Sequence, residues 1–511
     1  MKNNRLFFTF RNIAWRFVVL LLTAIANLII PRYVILIYGS EVNGLTSSIA
    51  HILAIVNLIQ AGLASSVTYL MYQPIGEKDK VKLASIILSA RRIYKYISIA
   101  VLIVGTAASF VFAYLVKTDL RRDFVLIASL LLCINSAAST FFTAVATVFL
   151  NAKQDGYIVS RVSIIANMIG YALQILVIAL RLHYMALFVV NMITCFTNIV
   201  MLSKCFKKQY KPFMPNTDEY KLVRNIPIHG ISYAAANEAA HAVINGSVTV
   251  IISMIAGLKA SSVFAVYLIA VSALSTVSNA IYSAVVPSYG SVAAENNIER
   301  TNRIFEIYQF ILFSLNAFMY MCTSYLLIPF VRLYTKGVSD ADYINYTLMI
   351  LVVFYGLSSM IRMPYNNTVY IRGLFKQTYL QPVICAGISV ILMFFLTRID
   401  YTYTLCGAIF FYLTNAIYQH FMLPKLYIGF DNRRFWNHIG VIIVGVTTAI
   451  VMYFIHPLSP DSFIIWIIDG FITAFFALIY LIFIIIALDR KSLINTVEYF
   501  KLRKIRKVEE K

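Results

Sequence analysis

The stretch RNIAWRFVVLLLTAIANLIIPRYVILIYGSEVNGL, residues 11–45, returns in outline as RNIPIHGISYAAANEAAHAVINGSVTVIISMIAGL, residues 224–258. An offset of 213 carries Arg11-Asn12 onto Arg224-Asn225, Gly44-Leu45 onto Gly257-Leu258, Ser48 onto Ser261, Tyr69 onto Tyr282 and Pro74 onto Pro287. Each copy opens on a basic residue and Asn, runs through two long apolar segments, and closes on a Pro before a charged loop. Arg16 falls on His229, so each copy places a cationic or titratable group one turn inside its first segment. The order and spacing of these identities predict two similar halves.

The segments are apolar enough to fix the solvent. Hydrophobic residues make up 60% of the 511 positions and charged ones 13%, with a mean hydropathy of +0.78. A water-soluble chain needs charge over its exterior, and this one has too little. Runs of about 20 apolar residues recur from end to end, long enough to cross a hydrocarbon layer about 30 Å thick. The period-2 alternation of a membrane barrel is absent. The first apolar run, from Ile13, lacks a small-residue cleavage site and reads as a span. The six cysteines stand in or beside apolar segments without a C-x-x-C pair, and read as small packing residues.

Fourteen spans are predicted, near 13–38, 43–72, 93–116, 124–150, 158–181, 184–203, 226–256, 261–286, 304–331, 346–371, 379–397, 402–423, 439–456 and 463–488. The domain plan is an N-terminal lobe over 1–203, a linker over 204–225 and a C-terminal lobe over 226–424. Two appended spans over 425–488 and a basic tail over 489–511 follow. Taking Lys95, Arg161 and Arg181 at span ends with their adjoining loops, Lys and Arg divide 32 to 8 between the two faces, with the other 3 of the 43 inside spans. That bias puts both termini in the cytoplasm and makes the net charge of +21 an orientation signal, with no nucleic acid implied. Six spans per half give parallel repeats. Lys153-Gln154 and Lys376-Gln377 echo one another after the fourth and tenth spans. Residues 77–92, polar on one face, are expected to lie along the membrane surface.

Ionisable groups inside spans are costly and mark sites. In span 7, Glu238, His241 and Asn245 share a helical face near mid-membrane, which suits a group that responds to a coupling ion; an internal pair that locks helices is the alternative. In span 10, Arg362 and Asn366 are one turn apart around Pro364, which suits a gate or a binding site, or else an Arg reaching to the surface. Span 1 holds Arg16 and Arg32, and span 2 holds His51 and Gln60, giving a cationic first half that would suit a diphosphate. No P-loop, no Cys/His metal spacing and no G-x-S-x-G occurs, and no loop is large enough for an aqueous catalytic domain.

Several motifs together resemble one family. They are Arg11-Asn12, Tyr38-Gly39 with Asn43-Gly44-Leu45, and Tyr72-Gln73-Pro74-Ile75. Further along come Leu333-Tyr334-Thr335-Lys336-Gly337-Val338 with Asp342-Tyr343-Ile344, then Arg362-Met363-Pro364-Tyr365-Asn366 leading to Gly373-Leu374-Phe375-Lys376-Gln377-Thr378. The set is similar to the Wzx-type polysaccharide flippases of the multidrug/oligosaccharidyl-lipid/polysaccharide exporter superfamily, across essentially the whole chain. The resemblance implies an all-α, MATE-like fold: two six-helix lobes plus two C-terminal helices, working by alternating access. It implies an undecaprenyl-diphosphate-linked oligosaccharide as substrate, carried from inner to outer leaflet of a bacterial cytoplasmic membrane. Relatives set cavity cations against the diphosphate, and by position Arg16 and Arg32 match best. A monomer without cofactor, coupled to H+ or Na+, is expected, in contact with membrane lipids and working beside a polysaccharide polymerase and glycosyltransferases. A drug/cation antiporter and a peptidoglycan-precursor flippase are the alternatives within the superfamily. A membrane-embedded glycosyltransferase or polymerase would need a large external catalytic loop.

Overall fold

The structure is a computed structural model. It describes the backbone of residues 2–224, 232–294, 297–426 and 432–509, leaving aside the side chains of 2–10, 12–14, 16, 56–63, 65–66, 232, 234–235, 283–288, 291, 293–294, 424–426, 432, 500 and 502–509. In chain order the helices are α1 Lys2–Tyr38, α2 Ser40–Glu77, α3 Lys80–Leu115, α4 Arg122–Ala152, α5 Gly156–Ala179, α6 Met185–Tyr210 and a short α7 Thr217–Tyr220. Then come α8 Ser232–Ile255, α9 Leu258–Ala294, α10 Ile298–Tyr334, α11 Tyr346–Ile361, α12 Met363–Arg372, α13 Phe375–Thr378, α14 Leu380–Leu396, α15 Thr404–Leu426, α16 Asn432–Ile455 and α17 Phe463–Glu509. Twelve stretches are long and apolar enough to cross a membrane among the described residues; α2 and α15 occupy the remaining two of the fourteen expected places. The protein is an all-α multi-pass membrane protein.

By packing, the chain divides into two compact units, Met1–Ser262 and Val263–Lys511. The first contains α8 because α8 lies along α2. Gly44 makes that packing close: a Cβ there would stand 1.9 Å from the Leu258 carbonyl oxygen. Ser48 and Ser261 share a hydrogen bond at 2.9 Å, and Asn43 Nδ2 donates to Ser262 Oγ at 2.8 Å. Small residues let helix backbones approach where lipid supplies no hydrophobic drive. The same logic joins α3 to α4, where a Cβ on Gly105 would meet Cys133 Sγ at 2.3 Å.

Local backbone geometry recurs at a spacing other than the 213 of the identities. Gly39 and Gly257, with φ 86° and 99°, precede α2 and α9 and stand 218 positions apart. Asp79 and Asn297, also 218 apart, cap α3 and α10, each accepting a hydrogen bond from the backbone N–H three residues on. The left-handed turns at Gln154 and Gly373 are 219 apart, whereas Lys153 and Lys376 are 223 apart. Spans rich in Ala, Ser and Leu offer chance identities, whereas caps and positive-φ turns have one geometric solution.

Residues 77–92 close α2 at Glu77, turn at Lys78 and Asp79, and begin α3, a helix of 36 residues and so about 54 Å long. Leu83, Ile86, Ile87 and Ala90 are buried against Phe149 and Phe206, because the apolar face meets helices instead of lipid. The linker is ordered as well: Asn216 and Glu219 form a capping box on α7, and the Arg224 N–H donates to Ser85 Oγ at 3.1 Å.

At the α1–α2 turn, Glu41 ties three connections together. It accepts hydrogen bonds from Thr118 Oγ1 at 2.7 Å and from the backbone N–H groups of Asp119 and Leu120 at 3.0 and 3.2 Å. Lys259 Nζ lies 3.8 Å from the Glu41 carboxylate and 3.2 Å from that of Asp119. Glu41→Ala strips these donors of their acceptor, at about 1–3 kcal/mol. The variant is expected to melt several degrees below wild type in detergent, with Glu41→Gln between them; an unchanged Glu41→Ala melting temperature would remove the carboxylate from the account of stability.

Candidate functional site

The second unit contains a break inside one span. Pro364 has no N–H to give the preceding turn, and the helix parts at Arg362, which ends α11 and precedes α12 with φ −71° and ψ −20°. The helix is interrupted two residues before Pro364. Arg362 is half-buried, and its Nε and Nη1 atoms are buried with no hydrogen-bond partner among the described residues. Its guanidinium carbon sits 5.6 Å from the Tyr412 ring centroid, with Tyr355 packed edge-on against Tyr412 at 6.0 Å. One turn on, Asn366 is buried, and its Oδ1 also has no partner among the described residues. Unfilled donors on a cation thus stand beside an unfilled acceptor on one helical face.

The neighbours of this turn are held firmly. Gln309 Nε2 donates to Tyr365 Oη, and Tyr365 Oη lies 3.1 Å from His420 Nδ1. The His420 ring stacks on Phe435 at 4.1 Å. Asn367 Nδ2 donates to Tyr308 Oη, and Thr368 Oγ1 and Tyr289 Oη share a hydrogen bond at 3.0 Å. Partners on α9, α10 and α15 therefore grip α12 while Arg362 and Asn366 stay unfilled. A turn fixed by its neighbours holds its binding groups in place without further ordering.

The remaining expected site residues lie in the first unit. Arg32 is half-buried on α1, directly after Pro31, while Val34 and Ile35 are buried; Val34 packs with Val177, Ile178 and Leu187. His51 is half-buried on α2, where a Cβ on Gly246 would lie 2.9 Å from its carbonyl oxygen. The side chains of Arg16 and Gln60 lie outside the described residues, as does His229. On α8, His241 is 3% exposed and joins the packed stripe of Asn237, Ile244, Val248 and Ile252, whereas Glu238 is half-buried and Asn245 exposed. The three share a side of the helix, but burial separates the imidazole from the other two.

Several polar groups of the second unit escaped the sequence reading. Gln309 and His420 interrupt apolar spans and are visible by the intramembrane rule already applied to span 7. Glu306, which pairs with Arg434, and Asp489, which pairs with His438, stand at span ends, where composition alone reads them as solvated loop charges.

No protein-family model and no curated protein matches the chain. Solved structures do. A multidrug resistance MATE family transporter of the MOP superfamily in an inward-facing conformation aligns at TM-score 0.63 and 10% identity, over 79% of this chain and 95% of its own. The lipid II flippase MurJ in an inward closed conformation aligns at TM-score 0.58 and 14% identity, over 91% of this chain and 98% of its own. An outward-facing MATE transporter gives 0.53 and 11%, over 81% and 95%. At such identities the likeness establishes the fold, which is MATE-like as expected.

Proposed function

We propose that this protein is a flippase that moves an undecaprenyl-diphosphate-linked oligosaccharide from the inner to the outer leaflet by alternating access, without an enzymatic step. The carrying observation is the Arg362 guanidinium, whose buried Nε and Nη1 atoms lack partners among the described residues, inside a membrane-spanning unit. Such a charge is costly there unless an anion meets it. A planar fork of donors suits phosphate oxygens, and the unfilled Asn366 carbonyl suits a hydroxyl of the attached sugar. Arg16, Arg32, His51 and Gln60 would line the path of the head group from the first unit. Glu238, His241 and Asn245 would answer to H+ or Na+. Both termini would face the cytoplasm, and a monomer would suffice beside the polymerase and glycosyltransferases that consume and supply the substrate. The likeness to a lipid II flippase over 91% of the chain supports a lipid-linked cargo.

A drug/cation antiporter is the second reading, favoured by the TM-score of 0.63 to a multidrug MATE transporter. An organic cation would need a carboxylate, and half-buried Glu238 is the candidate. Thermal unfolding of the purified protein with undecaprenyl diphosphate or tetraphenylphosphonium separates the two. Stabilisation by the diphosphate lipid alone is expected; stabilisation by the organic cation alone would favour the antiporter.

A further inference from the structure

In the first unit the N-terminal part of α3 meets the C-terminal part of α6. Both pack on α4, where Phe149 stands edge-on to Phe206 at 5.4 Å and shares a buried cluster with Tyr94. Arg91 crosses the seam, its guanidinium carbon 5.9 Å from the centroid of the Phe206 ring. Around that contact the surface is basic. Arg91, Arg92 and Lys95 on α3 and Lys204, Lys207 and Lys208 on α6 are all exposed. Neither helix carries an Asp or Glu, and none of these six cations forms a salt bridge among the described residues. Like charges gathered on adjoining helix ends repel, and nothing on the two helices offsets them.

The height of these cations along the helices decides what can offset them. Past Lys95, α3 has no charged residue over 96–115, and before Lys204, α6 has none over 185–203. Each run is about 30 Å long, the thickness of a hydrocarbon layer, so both sets of cations begin where lipid head groups begin. Apolar surface continues directly from them. Arg92, Tyr96, Ile99 and Ile103 share one face of α3, and the three apolar side chains are 64%, 43% and 65% exposed. An acidic protein docking from water would meet the cations but not Ile99 and Ile103, two and three turns further along. A lipid with an anionic head group meets both.

We infer that the α3–α6 seam binds an anionic phospholipid of the adjoining leaflet. Its phosphodiester is held by cations of both helices, and an acyl chain lies along Tyr96, Ile99 and Ile103. The guanidinium forks of Arg91 and Arg92 suit phosphate oxygens, and the lysines add compact positive charge. The bound lipid bridges α3 and α6 and offsets the repulsion between them. The inference is independent of the transport reading, since it uses no residue of the path proposed for the cargo.

Native mass spectrometry of the purified full-length protein in neutral detergent tests this, titrating phosphatidylglycerol and zwitterionic phosphatidylcholine in turn, with inorganic phosphate as competitor. Phosphatidylglycerol is expected to bind about tenfold more tightly than phosphatidylcholine, and excess phosphate is expected not to displace it. The triple variant Arg91→Gln, Arg92→Gln, Lys95→Gln is expected to lose about tenfold or more of the affinity for phosphatidylglycerol. A second triple variant, Lys376→Gln, Arg490→Gln, Lys491→Gln, removes the same charge from exposed cations of the second unit, and its affinity is expected to stay at the wild-type level. Equal losses in the two variants would overturn the proposal, as would displacement by phosphate. Equal binding of the two lipids would also overturn it and would leave the cations to an acidic protein surface. Photo-crosslinking of the wild type with a diazirine-bearing phosphatidylglycerol gives a reading that does not require a variant to fold. Label in peptides over 91–103 is expected, and label confined to other segments would be equally fatal.

Discussion

Arg362→Ala is expected to weaken binding of undecaprenyl diphosphate by about a hundredfold, roughly 2.7 kcal/mol at about 1.4 kcal/mol per tenfold. The expectation follows from what the side chain lacks. Its Nε and Nη1 atoms are buried without partners among the described residues, so the unliganded protein carries the desolvation cost of a cation and the ligand relieves it. Removing the guanidinium removes that relief along with up to two charge-assisted hydrogen bonds. Arg362→Lys keeps the charge but loses the fork, and should fall between the two. The folded state should not suffer, since the guanidinium stands over the ring of Tyr412 at 5.6 Å and an unfilled buried charge contributes little stability. A melting temperature equal to or above that of wild type, with affinity lost, is therefore the expected pair of results. Wild-type affinity in Arg362→Ala, measured by tryptophan quenching in nanodiscs, would remove Arg362 from the binding role.

Gly44→Ala is expected to be the most damaging single methyl group in the first unit. The added carbon would stand 1.9 Å from the carbonyl oxygen of Leu258 and 2.8 Å from its carbonyl carbon, both backbone atoms that no rotamer change can move. Relief requires α2 and the start of α9 to separate, which breaks the Ser48–Ser261 and Asn43–Ser262 hydrogen bonds. Overpacking ordinarily costs about 1–3 kcal/mol, and a backbone clash this short belongs above that range. Loss of the monodisperse peak in fluorescence-detected size-exclusion chromatography is expected. A Gly44→Ala protein that purifies with the wild-type melting temperature would show that the seam is looser than the structure has it.

Much of the fold was legible because lipid imposes one rule: each crossing needs its own apolar run. The spans near 124–150, 304–331 and 463–488 each fall within one helix of the structure. Register was less legible, since the identities at Ser48/Ser261 and Tyr69/Tyr282 sit in segments of low information. The caps Asp79 and Asn297 stand at a spacing of 218 instead. At the start of α3 an amphipathic pattern does not say whether its apolar side meets lipid or protein; here Ile86 and Ile87 meet Phe149. The candidate site was half legible. Arg362 and Asn366 follow from charge and proline inside a span, whereas their brace requires knowing that Gln309 and His420 reach Tyr365 from two other helices. Sequence distance hides such a convergence.

The most direct test of the central claim is leaflet exchange of a fluorescent undecaprenyl-diphosphate disaccharide in vesicles containing the purified protein. Exchange that requires the protein, and that falls to the level of empty vesicles with Arg362→Ala, is the expected result. Exchange no faster than in empty vesicles for the wild type, in preparations that take up an organic cation, would contradict the flippase account.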